Sequence, residues 1–159
     1  MGDRPGFTHQ KERHGLVGPF SGRQLAALFR EACTDDALSM IDDGLLDAAA
    51  AHGVGPLLYR TLKDNGRLDQ LAEHLRSRLA LAAREAALYD EMQRRDLLQL
   101  LDALSAEGVR PILFKGAAVA SSHYAATWLR PRGDSDLLLT ETAARTVDVV
   151  LNARGFERL

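Results

Sequence analysis

The 159-residue chain has one cysteine, Cys33. No internal disulfide can form and no cysteine-based zinc site is available, so a reducing compartment is expected. Long apolar runs are missing: nothing approaches the roughly 20 residues of a membrane span. The opening stretch MGDRPGFTHQKERHG has no apolar centre of the kind a secretion signal needs. An excess of charge of one sign is also missing, since 20 Lys+Arg face 22 Asp+Glu for a formal net charge of -2. That balance excludes binding to nucleic acid through bulk charge and leaves only a local basic groove. The 5 histidines show no metal-ligand spacing. These absences together predict a soluble, cytoplasmic protein with no membrane partner.

What is present supports a packed core. Hydrophobic residues make up 46% and charged residues 26% of the chain, which argues against global disorder. Residues 1–20 mix Gly, Pro, His and charge without period and read as a flexible tail. Residues 21–107 read as a helical region. SGRQLAALFREA has Ser21 as N-cap and Gln24 to complete a capping box. TDDALSMIDDGLLDAAAAHG reads as one helix, capped at Thr34 or Asp35 and stopped at Gly53. GPLLYRTLKDNG reads as a short helix opened by Pro56 and closed by Asn65-Gly66. From Leu68 to Ala106 leucines recur at helical spacing without an intervening Gly or Pro, which predicts one long helix or two with a bend.

The texture changes at Gly108. VRPILFKG reads as a short buried strand, AAVASSHYAA as a helix of small residues, and DSDLLLT as a second strand. ETAARTVDVVLNARG reads as a helix with Thr140 as cap and Gly155 as stop, and FERL begins something extended. The expectation is an α+β protein: a helical N-terminal region, then an incomplete mixed α/β core over 108–159. An open sheet edge there invites self-association, so a homo-oligomer through that edge is expected.

Within this core, the stretch LRPRGDSDLLLT concentrates the candidate chemistry. A strand beginning at Asp134 puts Asp134 and Asp136 on one face, because side chains alternate with period two. Two carboxylates side by side repel, and either a cation or open water must answer that. Mg²⁺ takes oxygen ligands and is commonly held by one or two carboxylates plus substrate phosphates. Two such ions can serve phosphoryl-type transfer. The bland alternative is a solvated strand end. In ILFKGAA, a strand delivers Lys115-Gly116 to a helix start, where free N–H groups attract phosphate, Gly116 permits close approach, and Lys115 offers a point charge. The alternative is an ordinary turn with a solvated lysine. Arg130 and Arg132 can pair with the carboxylates or with a triphosphate, or stay solvated. Trp128 is expected to anchor the loop by packing.

The combination of PILFKGAAVA, HYAATWLRPRGDSDLLL and LNARGFERL resembles the uncharacterised nucleotidyltransferase family of the DNA polymerase β-like nucleotidyltransferase superfamily. Lys115, Gly116, Tyr124, Arg130, Asp134, Asp136, Gly155 and Phe156 fall on the family pattern, and AAAAHGVGPLLYRTL is similar to the helical region that precedes it. The resemblance implies Mg²⁺-dependent transfer of a nucleoside monophosphate from an NTP to an unidentified acceptor. Asp134 and Asp136 would be catalytic and hold metal, in a suspected two-metal site. Lys115, Gly116 and Arg130 would bind nucleotide. Gly116-Ala117 departs from the Gly-Ser usual in the superfamily. The resemblance also implies a third carboxylate on a strand beyond the Gly-aromatic turn, so the chain is expected to be truncated at its C-terminus and poorly active. Two rival readings stand beside this one: a non-enzymatic interaction module acting through its helices, and a metal-dependent glycosyltransferase.

Overall fold

The computed structural model describes residues 34–157, together with Leu25, Ala26 and Phe29. The expected tail, most of the helix expected from Ser21, Cys33 and the final two residues lie outside the described residues.

Thr34 opens α1 (Asp35–Ser39), its Oγ1 accepting from the Ala37 N–H at 3.2 Å. The single helix expected over 34–53 is instead two. The chain leaves the helical path at Met40, buries Ile41 and restarts at α2 (Asp43–Ala51). The Asp42 carboxylate caps this second start, accepting from the Leu45 N–H at 2.8 Å. Aspartate satisfies free N–H groups better at a cap than inside a helix, so it divides a pattern that periodicity alone runs together. α3 (Gly55–Asp64) follows with Pro56 in its first turn, where the missing N–H costs nothing. A 3₁₀ turn at Leu68–Gln70 leads into α4 (Glu73–Ala106), an unbroken helix of 34 residues. At 1.5 Å per residue it is about 51 Å long.

Two apolar cores form along this helix. Leu75 and Leu79, near its start, join Leu45, Leu58 and Leu62, and these last three are fully buried. Leu100 and Leu104, near its end, join Val109 and Val147, with Leu137 and Leu139 packed on the side.

Gly108, at φ +75, turns the chain out of α4. β1 (Ile112–Phe114) and β2 (Asp136–Leu138) pair antiparallel, with Ile112 opposite Leu138, Leu113 opposite Leu137 and Phe114 opposite Asp136. Both are shorter than the sequence pattern suggests. Pro111 has no N–H to give a ladder, and Lys115, at φ +49, swings the chain into α5 (Lys115–His123). β2 therefore has no partner for residues 134 and 135. Leu113 and Leu137 share the inner face, while Ile112, Phe114 and Leu138 are 63%, 52% and 58% exposed on the outer one. A 3₁₀ turn at Glu141–Ala143 precedes α6 (Ala144–Ala153). Thr140 precedes that turn without a side-chain cap bond, and Gly155 stops the helix as expected. The fold is α+β, with helices first and no strand before Ile112 among the described residues. No described helix is long and apolar enough to cross a membrane.

Candidate functional site

The strand-to-helix junction carries Lys115 in a left-handed conformation that costs a non-glycine residue roughly 1–2 kcal/mol. Its Nζ lies 3.4 Å from Asp136 Oδ1 and 5.9 Å from the Phe114 ring centroid. The pair is open to water, with the lysine side chain 64% and the aspartate 35% exposed, so it contributes no more than about 1 kcal/mol. The contact is thus easily exchanged for another. The first turn of α5 has no side-chain cap, because Phe114 stands at the cap position. The first N–H groups of the helix have no intrahelical partner and attract anions. The space a side chain on Gly116 would occupy is empty to 4 Å, so a ligand can reach this backbone. Ala117 and Ala120 of the same helix are buried and seat it.

The repulsion between the two aspartates is answered differently for each. Asp136 faces Lys115 from the last rung of the ladder. Asp134 lies two residues before the strand, exposed, on the rim of a cavity of about 250 Å³ that it shares with Gln93 and Asp96 of α4. Strand alternation therefore fixes Asp136 and does not reach Asp134. Arg130 is exposed and follows a 3₁₀ turn, Thr127–Leu129, in which Leu129 is buried and Trp128 half-buried.

Arg132 is not free for a triphosphate. Its Nη1 donates to Asp90 Oδ1 at 2.5 Å, and the Thr127 Oγ1 donates to Asp90 Oδ2 at 2.5 Å. The arginine side chain is 7% and the aspartate 10% exposed. This buried pair ties the loop that carries Arg130 and Asp134 to the middle of α4. Arg132 Nε is buried without a hydrogen-bond partner, so the anchor is not fully satisfied. Asp90 is the residue that sequence reasoning missed. The signal was there: Leu75, Leu79, Ala83 and Asp90 fall on one helical stripe, and an acid on an apolar stripe needs a partner.

A second charge cluster lies on the helical region. Arg78 bonds to Asp43 and donates to Asp47 at 2.6 Å, pinning α4 to α2. The hydrogen bond to Asp47, then the one to Asp43, raises the Arg78 guanidinium above its usual value, and it stays charged throughout.

Helices come first, then a small sheet whose strand-to-helix junction sets a lysine against an Asp-x-Asp segment: this is an α+β protein with its candidate chemistry at one junction. Residues 41–159 match the model of a family described as uncharacterised nucleotidyltransferase, and the chain belongs to that family. The matched region contains Lys115, Gly116, Arg130, Asp134 and Asp136, and all the helices from α2 onward. No curated protein and no solved structure matches the chain.

Proposed function

We propose that the chain binds an NTP with Mg²⁺ at the junction of β1, α5 and β2, and passes a nucleoside monophosphate to an acceptor. The observation that carries this reading is the Lys115–Asp136 contact at the uncapped start of α5, in a member of a nucleotidyltransferase family. The donor set fits a metal that arrives with its substrate. Among the described residues no three His, Cys, Asp or Glu side chains converge to make a protein cage. Asp136, with Asp134 beside it in sequence, offers the one or two carboxylates that Mg²⁺ commonly takes when phosphates and water complete its shell. When bound, the ion neutralises developing charge on the phosphates.

The chain's own groups divide the rest of the work. Displaced from Asp136, the Lys115 ammonium turns to the triphosphate. The N–H groups at Gly116 and the following turn hold phosphate oxygens. Arg130, exposed on the loop that leads to Asp134, steadies the same group in this reading. The acceptor nucleophile bonds to the α-phosphorus, the bond to the β-phosphate oxygen breaks, and pyrophosphate leaves. In this reading Asp134 and Asp136 orient the attacking atom.

Release of pyrophosphate from each of the four NTPs, with Mg²⁺ and with a panel of protein, RNA and small-molecule acceptors, tests this reading. Mg²⁺-dependent release, lost in Asp136→Asn, is expected. A second reading, an interaction module without catalysis, draws on the exposed outer face of the sheet and on the placement of Asp134 outside the ladder. Absence of release with every NTP and acceptor, from a chain that still folds, would favour it.

A further inference from the structure

The outward side of α4 carries three large apolar side chains that nothing covers among the described residues: Leu81, Leu88 and Met92 are 57%, 69% and 65% exposed. At about 100° per residue they fall within roughly 40° of one another around the helix axis. That stripe lies nearly opposite the face that buries Leu75, Leu79 and Leu104. Isolated exposed leucines are ordinary, but a line of them spaced seven and then four residues apart is the pattern of a helix seam.

From Leu81 to Asp96 the charges that border the stripe are sorted by sign. Arg84 and Arg95 lie on one flank and Glu85 and Asp96 on the other, each within about 60° of the stripe's centre on the same wheel. All four are exposed, and none has an ion pair or hydrogen bond among the described residues. Charges further round the helix behave differently, since Arg94 pairs with Glu91 at 3.2 Å. From Leu81 to Asp96, the charges without a partner among the described residues are those that border the apolar line.

This sorting selects both the partner and its direction. A second copy of the same helix, related by a two-fold axis running along it, brings the cationic flank of one against the anionic flank of the other on both sides of the seam. Leu81, Leu88 and Met92 then meet their own counterparts. An antiparallel copy would set arginine against arginine and acid against acid, which is destabilising. We infer that the chain forms a parallel two-fold dimer through the outer stripe of α4. The inference does not rest on the nucleotide reading. It also moves self-association away from the sheet edge, where the sequence had placed it.

Sedimentation equilibrium of the whole chain, from about 1 to 100 μM, tests this. A monomer–dimer equilibrium is expected, with Leu88→Glu monomeric throughout and melting at the Tm the parent shows when dilute enough to be monomeric, because Leu88 is 69% exposed within one copy. The pair Arg84→Glu/Arg95→Glu should weaken the dimer at least tenfold, and adding Glu85→Arg/Asp96→Arg should restore it. With Cys33→Ser as background, Met92→Cys alone should give a disulfide-linked dimer on mild oxidation, since a parallel seam sets residue 92 against residue 92. A monomer across the whole range would overturn the inference. So would a dimer that survives Leu88→Glu, or a fourfold charge reversal that fails to restore what the twofold one removed.

Discussion

Leu75 and Leu79 sit at one end of α4 and Leu100 and Leu104 at the other, and the two ends live in different surroundings. At the first end, the helices α1, α2 and α3 close a core with them in which Leu45, Leu58 and Leu62 are inaccessible to water. At the second, four buried residues and a ladder of three residue pairs stand alone, and large apolar groups such as Phe114, Leu138 and Val149 remain exposed. A two-stranded ladder is marginal by itself in water. The candidate site is therefore on the part of the molecule least able to hold its own shape. Its rigidity is borrowed from α4, through the buried Asp90–Arg132 pair and the turn that buries Leu129. The helical region thus supports the site as well as adjoining it.

The largest effect should come from cutting that support. Asp90→Ala leaves a buried guanidinium unpaired and should cost about 3–5 kcal/mol in urea unfolding, whereas Asp90→Leu with Arg132→Met should recover most of it. If the single variant is as stable as the parent, the loop is not held by this pair. Next, Leu58→Ala in the closed core should cost about 2–5 kcal/mol, while Leu113→Ala on the half-buried sheet should cost clearly less. Equal losses would erase the contrast between the two ends. Smaller and opposite in sign, Lys115→Gly relieves the left-handed backbone and should stabilise the fold by about 1 kcal/mol while weakening nucleotide binding. A stability gain with unchanged NTP affinity would remove Lys115 from the site. Smallest of all, Phe114→Thr on the outer sheet face should shift stability by no more than about 0.5 kcal/mol. A large loss would show that this face is covered in solution.

The legible features were those written in local chemistry. Thr34, Pro56 and Gly155 marked helix ends correctly because caps and stops are set by single residues and their neighbours. The change of period at Gly108 located the sheet. The split at Asp42 was misread because an acid inside a helical pattern can be either a solvated face or a cap, and only the burial of Ile41 between the two helices decides. Asp134 was drawn into the strand because alternation says nothing about where the partner strand stops, and that was decided by the φ of Lys115. The Asp90–Arg132 pair spans 42 residues, and no local pattern states which arginine an acid on an apolar stripe will meet.

The proposed function depends on the facing pair Lys115 and Asp136 holding a metal-bound nucleotide. Thermal unfolding with an NTP and Mg²⁺ tests it most directly, because a ligand that binds only the folded state raises Tm. At 100 times Kd the stabilisation is about 2.7 kcal/mol, or roughly 5–10 °C for a chain of this size. The account predicts that rise for the parent with both components, little with either alone, and none in Asp136→Asn. An equal rise in Asp136→Asn, or the same rise without Mg²⁺, would contradict it.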